Sequence, residues 1–208
     1  MSKIAVAKAL LTTQAVKLQP NDPFIRSSGM ESPIYCDNRM LLSHPEIRTL
    51  IVDTYITMIS AFSNVEGIAG VATWAIAWWA LIADKMWLPF IYIRSKAKDY
   101  GRKNLVEWDI KQADRYVVIE DLISTWGSSL SAIQAMQELG KEIVCLWAIF
   151  SYGFPYATEA LKQAGCTHFT LTDYLTLMQQ AAALEYIDPT DMITLEKRRE
   201  NPQVWQNN

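Results

Sequence analysis

Residues 117–129 read VVIEDLISTWGSS: an apolar run rich in β-branched residues, two adjacent acids, a short stretch of small hydroxyl-bearing residues, and then the start of a helical pattern. That order describes a buried strand, a turn and a helix N-terminus. An anion is favoured at such a helix start, because the first backbone N–H groups have no partner within the helix. Glu120 and Asp121 close the strand, and adjacent carboxylates suit a pair of sugar hydroxyls or a Mg²⁺ reached through water or a sugar oxygen. Ser124, Thr125, Gly127, Ser128 and Ser129 then supply hydroxyls and backbone N–H groups for a phosphate. A plainer reading has acidic turn residues with Ser128 or Ser129 capping the helix. The apolar run before and the helix after favour the phosphate, and Trp126, an indole inside the cradle, argues against it.

The same alternation runs outward from this stretch. GIAGVAT (67–73), PFIYIR (89–94), RYVVIED (115–121), EIVCLWAIF (142–150) and THFTLTD (167–173) are strand candidates whose β-branched and aromatic content suits burial on both faces. HPEIRTLIVDTYITMISAF (44–62), SSLSAIQAMQELG (128–140) and YATEALKQAG (156–165) carry apolar residues three and four apart, as helices do. Gly140 and Gly165 fall where helices would end. The fold class implied is α/β, a mostly parallel sheet flanked by helices, with right-handed crossovers. In such sheets ligands bind at the carboxyl ends of the strands.

Composition bounds the alternatives. The chain has 208 residues, half of them apolar and a fifth charged, with a net charge of -3, so neither disorder nor nucleic-acid binding is suggested. A single domain over 1–208 is expected, with N-terminal helix and hood elements over about 1–40 and a charged, fraying surface segment over about 189–208. MSKIAVAKALLTTQAVKL reads as an amphipathic first helix, and Asp84 and Lys85 interrupt the richest apolar stretch, so a soluble, cytoplasmic protein is expected. Cys36, Cys145 and Cys166 have neither paired nor metal-type spacing and read as reduced thiols. His44 and His168 carry no evident mechanism. Residues 27–40 read as a short strand or loop leading into a helix, and the charged segment 95–110 as a mobile loop.

YVVIEDLISTWGSSL resembles the phosphoribosyl pyrophosphate signature of the type I phosphoribosyltransferases. Together with SSGMESPIYCDNR, GIAGVAT and LIADKM.LPFIYIRSKAKD.G, it makes residues 20–185 similar to the orotate phosphoribosyltransferases, glycosyltransferases of pyrimidine biosynthesis. The resemblance implies that Glu120 and Asp121 bind the ribose hydroxyls, with Mg²⁺ held indirectly. It implies that Ser124, Thr125, Gly127, Ser128 and Ser129 surround the 5′-phosphate, and that Arg94, Lys96 and Lys98 bring positive charge to the pyrophosphate as catalytic residues. A homodimer is implied too, since in this family the mobile loop closes over the neighbouring subunit's site.

The departures from that pattern cluster at ligand-facing positions. Trp126 stands where the family has glycine, Trp74 where small residues follow GVAT, Glu31 where a lysine precedes the SPIY-like motif, Tyr100 where a histidine is usual, and Trp108 where a glycine is expected. Trp78, one helical turn on from Trp74, lies on the same helix face, with Trp79 about a quarter turn away. This pattern reads as an engineered scaffold in which Trp74, Trp78, Trp126, Glu31 and Tyr100 form a remodelled pocket for a flat aromatic ligand, or the tryptophans form a new interface, with transferase activity lost or impaired. The alternative is a functional orotate phosphoribosyltransferase that makes orotidine 5′-phosphate. Trp147 and Trp205 read as ordinary core and tail residues, while Trp78, Trp79, Trp87 and Trp108 are divided between pocket, interface and packing.

Overall fold

A computed structural model describes residues 2–25, 31–94, 105–107, 109–124 and 127–200. In chain order the elements are α1 (Lys3–Thr12), β1 (Val16–Leu18), β2 (Phe24–Ile25), β3 (Glu31–Ser32), β4 (Ile34–Cys36), a 3₁₀ turn (Asn38–Ser43), α2 (Pro45–Ile59), β5 (Gly67–Val71), α3 (Ile76–Met86), β6 (Phe90–Ile93) and β7 (Val106–Glu107). A second 3₁₀ turn (Ile110–Gln112) precedes β8 (Arg115–Ile123), α4 (Gly127–Glu138), β9 (Glu142–Ser151), α5 (Pro155–Gln163), β10 (His168–Asp173), α6 (Tyr174–Ala183) and α7 (Pro189–Glu200). Six strands form one sheet in the order β10-β9-β8-β5-β6-β7. All neighbours are parallel except β7, which runs antiparallel to β6 at the edge. This is the α/β architecture that the strand and helix spacing implies.

Sequence explains the element ends. Pro45 opens α2, where its missing N–H costs nothing. Asp173 caps α6 by accepting from the Thr176 backbone N–H at 2.9 Å. Gly140 and Gly165 take φ of +73° and +69° just beyond α4 and α5, as a left-handed helix stop requires. β5 is buried along its whole length, as is most of β8 and β9, which is why these segments read as continuous apolar runs. Trp147 is core, its ring stacked on Phe169 at 4.8 Å.

Three expectations change. The N-terminal stretch is not one helix: α1 stops at Thr12, Gln14 takes φ of +58°, and residues 16–18 pair with β4 instead. The C-terminal segment does not simply fray, because Leu195 is buried, its carbonyl accepts from the Tyr174 hydroxyl at 3.0 Å, and Arg199 reaches the Gly153 carbonyl at 3.4 Å. Trp78 and Trp79 are fully buried in the core, so the tryptophan face expected along α3 does not exist. Trp74 lies before the helix begins, which places it off the helical register that would align it with Trp78.

Trp87 is the opposite case. It ends α3 in the left-handed region, with φ of +54°, and its side chain is 91% exposed, which rules out a packing role within this chain. A left-handed backbone costs a non-glycine residue roughly 1–2 kcal/mol. Trp87→Gly is therefore expected to raise unfolding stability by about 1 kcal/mol after the extra freedom of the unfolded glycine is counted. Urea unfolding would check this, and a lower midpoint would mean that the indole makes a stabilising contact.

Candidate functional site

Because β5, β6 and β8 are parallel neighbours, their carboxyl ends open on one side of the sheet. β8 delivers Glu120 and Asp121 there, both almost wholly buried. Burial, and then the charge of Asp121, pushes the Glu120 carboxyl well above the usual carboxylate range, and burial also raises Asp121. The buried Tyr55 hydroxyl has no partner among the described residues and feels both carboxylates. No described ion pair engages either acid. Two buried acids with no ion-pair partner among the described residues make a site that suits hydroxyl donors or positive charge.

The residues expected to form a phosphate cradle separate. Gly127 and Ser128 are exposed at the first turn of α4, where backbone N–H groups lack helical partners. Ser129 does not join them: it is buried, and its hydroxyl donates to Glu120 Oε2 at 3.3 Å. It is tied to the Glu120 carboxyl instead. Ser124 is half-buried at the end of β8, while Thr125 and Trp126 lie outside the described residues. Arg94 stands at the end of β6 on the same side of the sheet, ion-paired with Glu107 at 3.4 Å. Lys96, Lys98, Tyr100, Trp108 and Trp205 also lie outside the described residues.

The N-terminal elements build the opposite wall. A cleft of about 310 Å³ is lined by Phe24, Ile34, Tyr35, Trp74, Leu122 and Tyr152, among others. Its walls are aromatic, and Leu122 directly follows the carboxylate pair. The turn after β4 closes it through residues that carried no role in the sequence reading. Asn38, fully buried, donates to the Asp121 carbonyl at 2.7 Å and accepts from the Cys36 thiol at 3.4 Å. Arg39 makes a two-pronged pair with Asp37, at 2.7 Å on each prong, and places its guanidinium 3.8 Å from the centre of the Trp74 ring. The Arg39 guanidinium holds the Asp37 carboxyl below its usual range. The only available signal was the compact DNR run after the SPIY-like motif.

Glu31 does not line this cleft with Trp74. It sits in β3, half-buried and paired across the ribbon with Ile25. Among the described residues, no group of three or more His, Cys, Asp or Glu side chains is placed to hold a metal unaided, and the three cysteines are buried thiols. No helix of the described residues is long and apolar enough to cross a membrane.

Known proteins share this architecture. The chain is 46% identical over 201 residues to an orotate phosphoribosyltransferase of Porphyromonas gingivalis and 48% identical over 201 residues to one of Cytophaga hutchinsonii, covering 96% of each partner in both cases. It is 46% identical to one of Streptococcus mutans over 97% of both chains. Among solved structures, the orotate phosphoribosyltransferase of Aeropyrum pernix superimposes with a TM-score of 0.73 at 24% identity, over 88% of this chain and 99% of that one. The UMP synthase of Leishmania donovani superimposes with a TM-score of 0.77 at 25% identity, over 95% of this chain and 42% of that one. No family model matches the chain.

Proposed function

The chain belongs to the orotate phosphoribosyltransferase family, and from that premise we propose that it is a working transferase, joining orotate to phosphoribosyl pyrophosphate with release of pyrophosphate. Relatives of this identity over nearly the whole chain support that reading better than a redesigned pocket, and burial of Trp78 and Trp79 removes most of the aromatic face such a pocket needs. The observation that carries the proposal is the buried Glu120–Asp121 pair, with no ion-pair partner among the described residues, beside an aromatic cleft.

In this reading the two carboxyl groups accept hydrogen bonds from the ribose hydroxyls, adding partners to the bond that Glu120 already accepts from Ser129. Gly127 and Ser128 receive the 5′-phosphate at the start of α4, and Ser124 and Thr125 contribute hydroxyls to it by the family resemblance. The flat base lies in the cleft between the hood and Trp74. The bond from the ribose C1 to pyrophosphate oxygen breaks, the orotate ring nitrogen takes that carbon, and its proton leaves to solvent. Arg94, Lys96 and Lys98 offset charge on the departing pyrophosphate. The carboxylate pair fits Mg²⁺ held through water or ribose oxygens, and the ion would supply further charge neutralisation of the pyrophosphate. A homodimer in the cytoplasm is the setting we propose, with no nucleic-acid or membrane partner.

The test is loss of orotate absorbance in the presence of phosphoribosyl pyrophosphate and Mg²⁺, with Trp126→Gly run alongside. Turnover by the unaltered chain is the expected result. Turnover by the glycine variant alone would assign the indole a blocking role, and no turnover by either would overturn the proposal.

A further inference from the structure

The cleft beside the carboxylate pair has one wall that is not continuous in the chain. Its hood side comes from β2 and β4, where Phe24 and Tyr35 stand 5.7 Å apart, ring centre to ring centre. Its other side includes Trp74, in the turn between β5 and α3, 41% exposed and outside the buried core. What holds it is Arg39, whose guanidinium lies 3.8 Å from the ring centre. The guanidinium is fixed in turn by its two bonds to Asp37, an arrangement that matches the planar fork of arginine and that lysine cannot reproduce. Asp37 also accepts from the Arg39 backbone N–H at 3.1 Å, so the charge pair is tied to the turn that carries it. One residue earlier, Asn38 anchors the same turn to the Asp121 carbonyl at 2.7 Å. A single turn of the hood therefore grips both the strand end that bears the carboxylates and the indole that walls the cleft.

Resting on the transferase reading, we propose that Trp74 is the stacking surface for the pyrimidine base and that Arg39, locked by Asp37, is the positioning residue that sets the plane of the indole and the width of the cleft. Orotate is flat, and an indole face held at a fixed distance from a second aromatic wall selects a flat ring over a bulky one. Arg39 stacks on the indole and is not among the residues that line the cleft, so it restrains the ring without occupying the place of the base. In the transferase reading the ribose and phosphate contacts belong to β8 and α4, so the stacking ring itself acts on the base.

Steady-state kinetics and direct calorimetric titration, run separately with orotate and with Mg²⁺-phosphoribosyl pyrophosphate, test this. Removing a stacking ring weakens base binding by roughly 5- to 150-fold in nucleic-acid sites, so Trp74→Ala is expected to raise the orotate Kd and KM by about 10-fold or more. Trp74→Phe, which keeps a ring and protects against simple misfolding, should stay within about 3-fold. Arg39→Ala is expected to raise the orotate KM by about 3-fold with kcat unchanged, and Arg39→Lys to recover part of that loss. The sugar-phosphate KM should not move in any variant. The clamp is overturned if the unaltered chain turns over and Trp74→Ala or Arg39→Ala leaves the orotate KM unchanged, or if both substrates weaken together. If the unaltered chain neither binds nor turns over orotate, the transferase reading fails and the clamp falls with it.

Discussion

Gly70→Ala is expected to destabilise the chain by about 3 kcal/mol, at the upper end of what overpacking a well-filled core costs. β5 is the sheet's internal strand between β6 and β8, and Gly70 faces α3. A Cβ built on Gly70 would land inside the indole of Trp79. That ring cannot retreat, because it packs against Phe90 at 5.4 Å and stacks on Tyr92 at 6.0 Å. The glycine is therefore a packing requirement, set by the size of the residue above it. Trp79→Ala alone should cost about 3–5 kcal/mol through the cavity it leaves. The two changes share one volume, so the double variant should be more stable than the sum of the single losses implies. Urea unfolding of the four proteins gives the cycle. A Gly70→Ala chain with an unaltered midpoint would show that Trp79 does not lie on β5. The loss would also reach function, since β5 carries the turn that presents Trp74.

The strand ends were legible because alternating apolar runs and helical periods constrain an α/β sheet tightly, and parallel strands bring their carboxyl ends together by topology alone. Glu120 and Asp121 could thus be placed from their position after an apolar run. Contacts across the chain were not legible. The bond from Asn38 to Asp121 spans 83 residues, and nothing in local spacing announces that Arg39 meets Trp74. The tryptophans misled for a geometric reason: counting four residues from Trp74 to Trp78 presumes a helix already running, but α3 begins at Ile76. Trp78 and Trp79 then turn inward, with indole N–H groups that find no acceptor among the described residues, as core residues and not ligand contacts. Ser129 shows the same limit at short range, since a hydroxyl at a helix start can turn to a phosphate or back to the strand, and here it turns to Glu120.

Glu120→Gln is expected to make the fold more stable at about pH 8 and to leave it unchanged or slightly weaker at about pH 4, near the ordinary glutamate pKa. The folded chain raises the Glu120 pKa, through burial first and the Asp121 charge second. A raised folded value means that the acid contributes stability fully below its unfolded pKa and loses it as the pH rises through the folded pKa. Above the unfolded pKa the wild-type chain thus loses stability, because the unfolded glutamate ionises freely and the buried one does not, and glutamine removes that loss while keeping an oxygen near the Ser129 hydroxyl. Function should move the other way. Asp121→Asn is expected to lower turnover by roughly 100-fold, the scale of removing one preorganised electrostatic group from an active site. It should also abolish the rise in melting temperature that Mg²⁺-phosphoribosyl pyrophosphate gives the unaltered chain by mass action. A variant that gained stability while retaining turnover would separate the carboxylates from the chemistry. Stability gained together with activity lost would mean that the fold tolerates this buried acid pair because the sugar and its cation complete it.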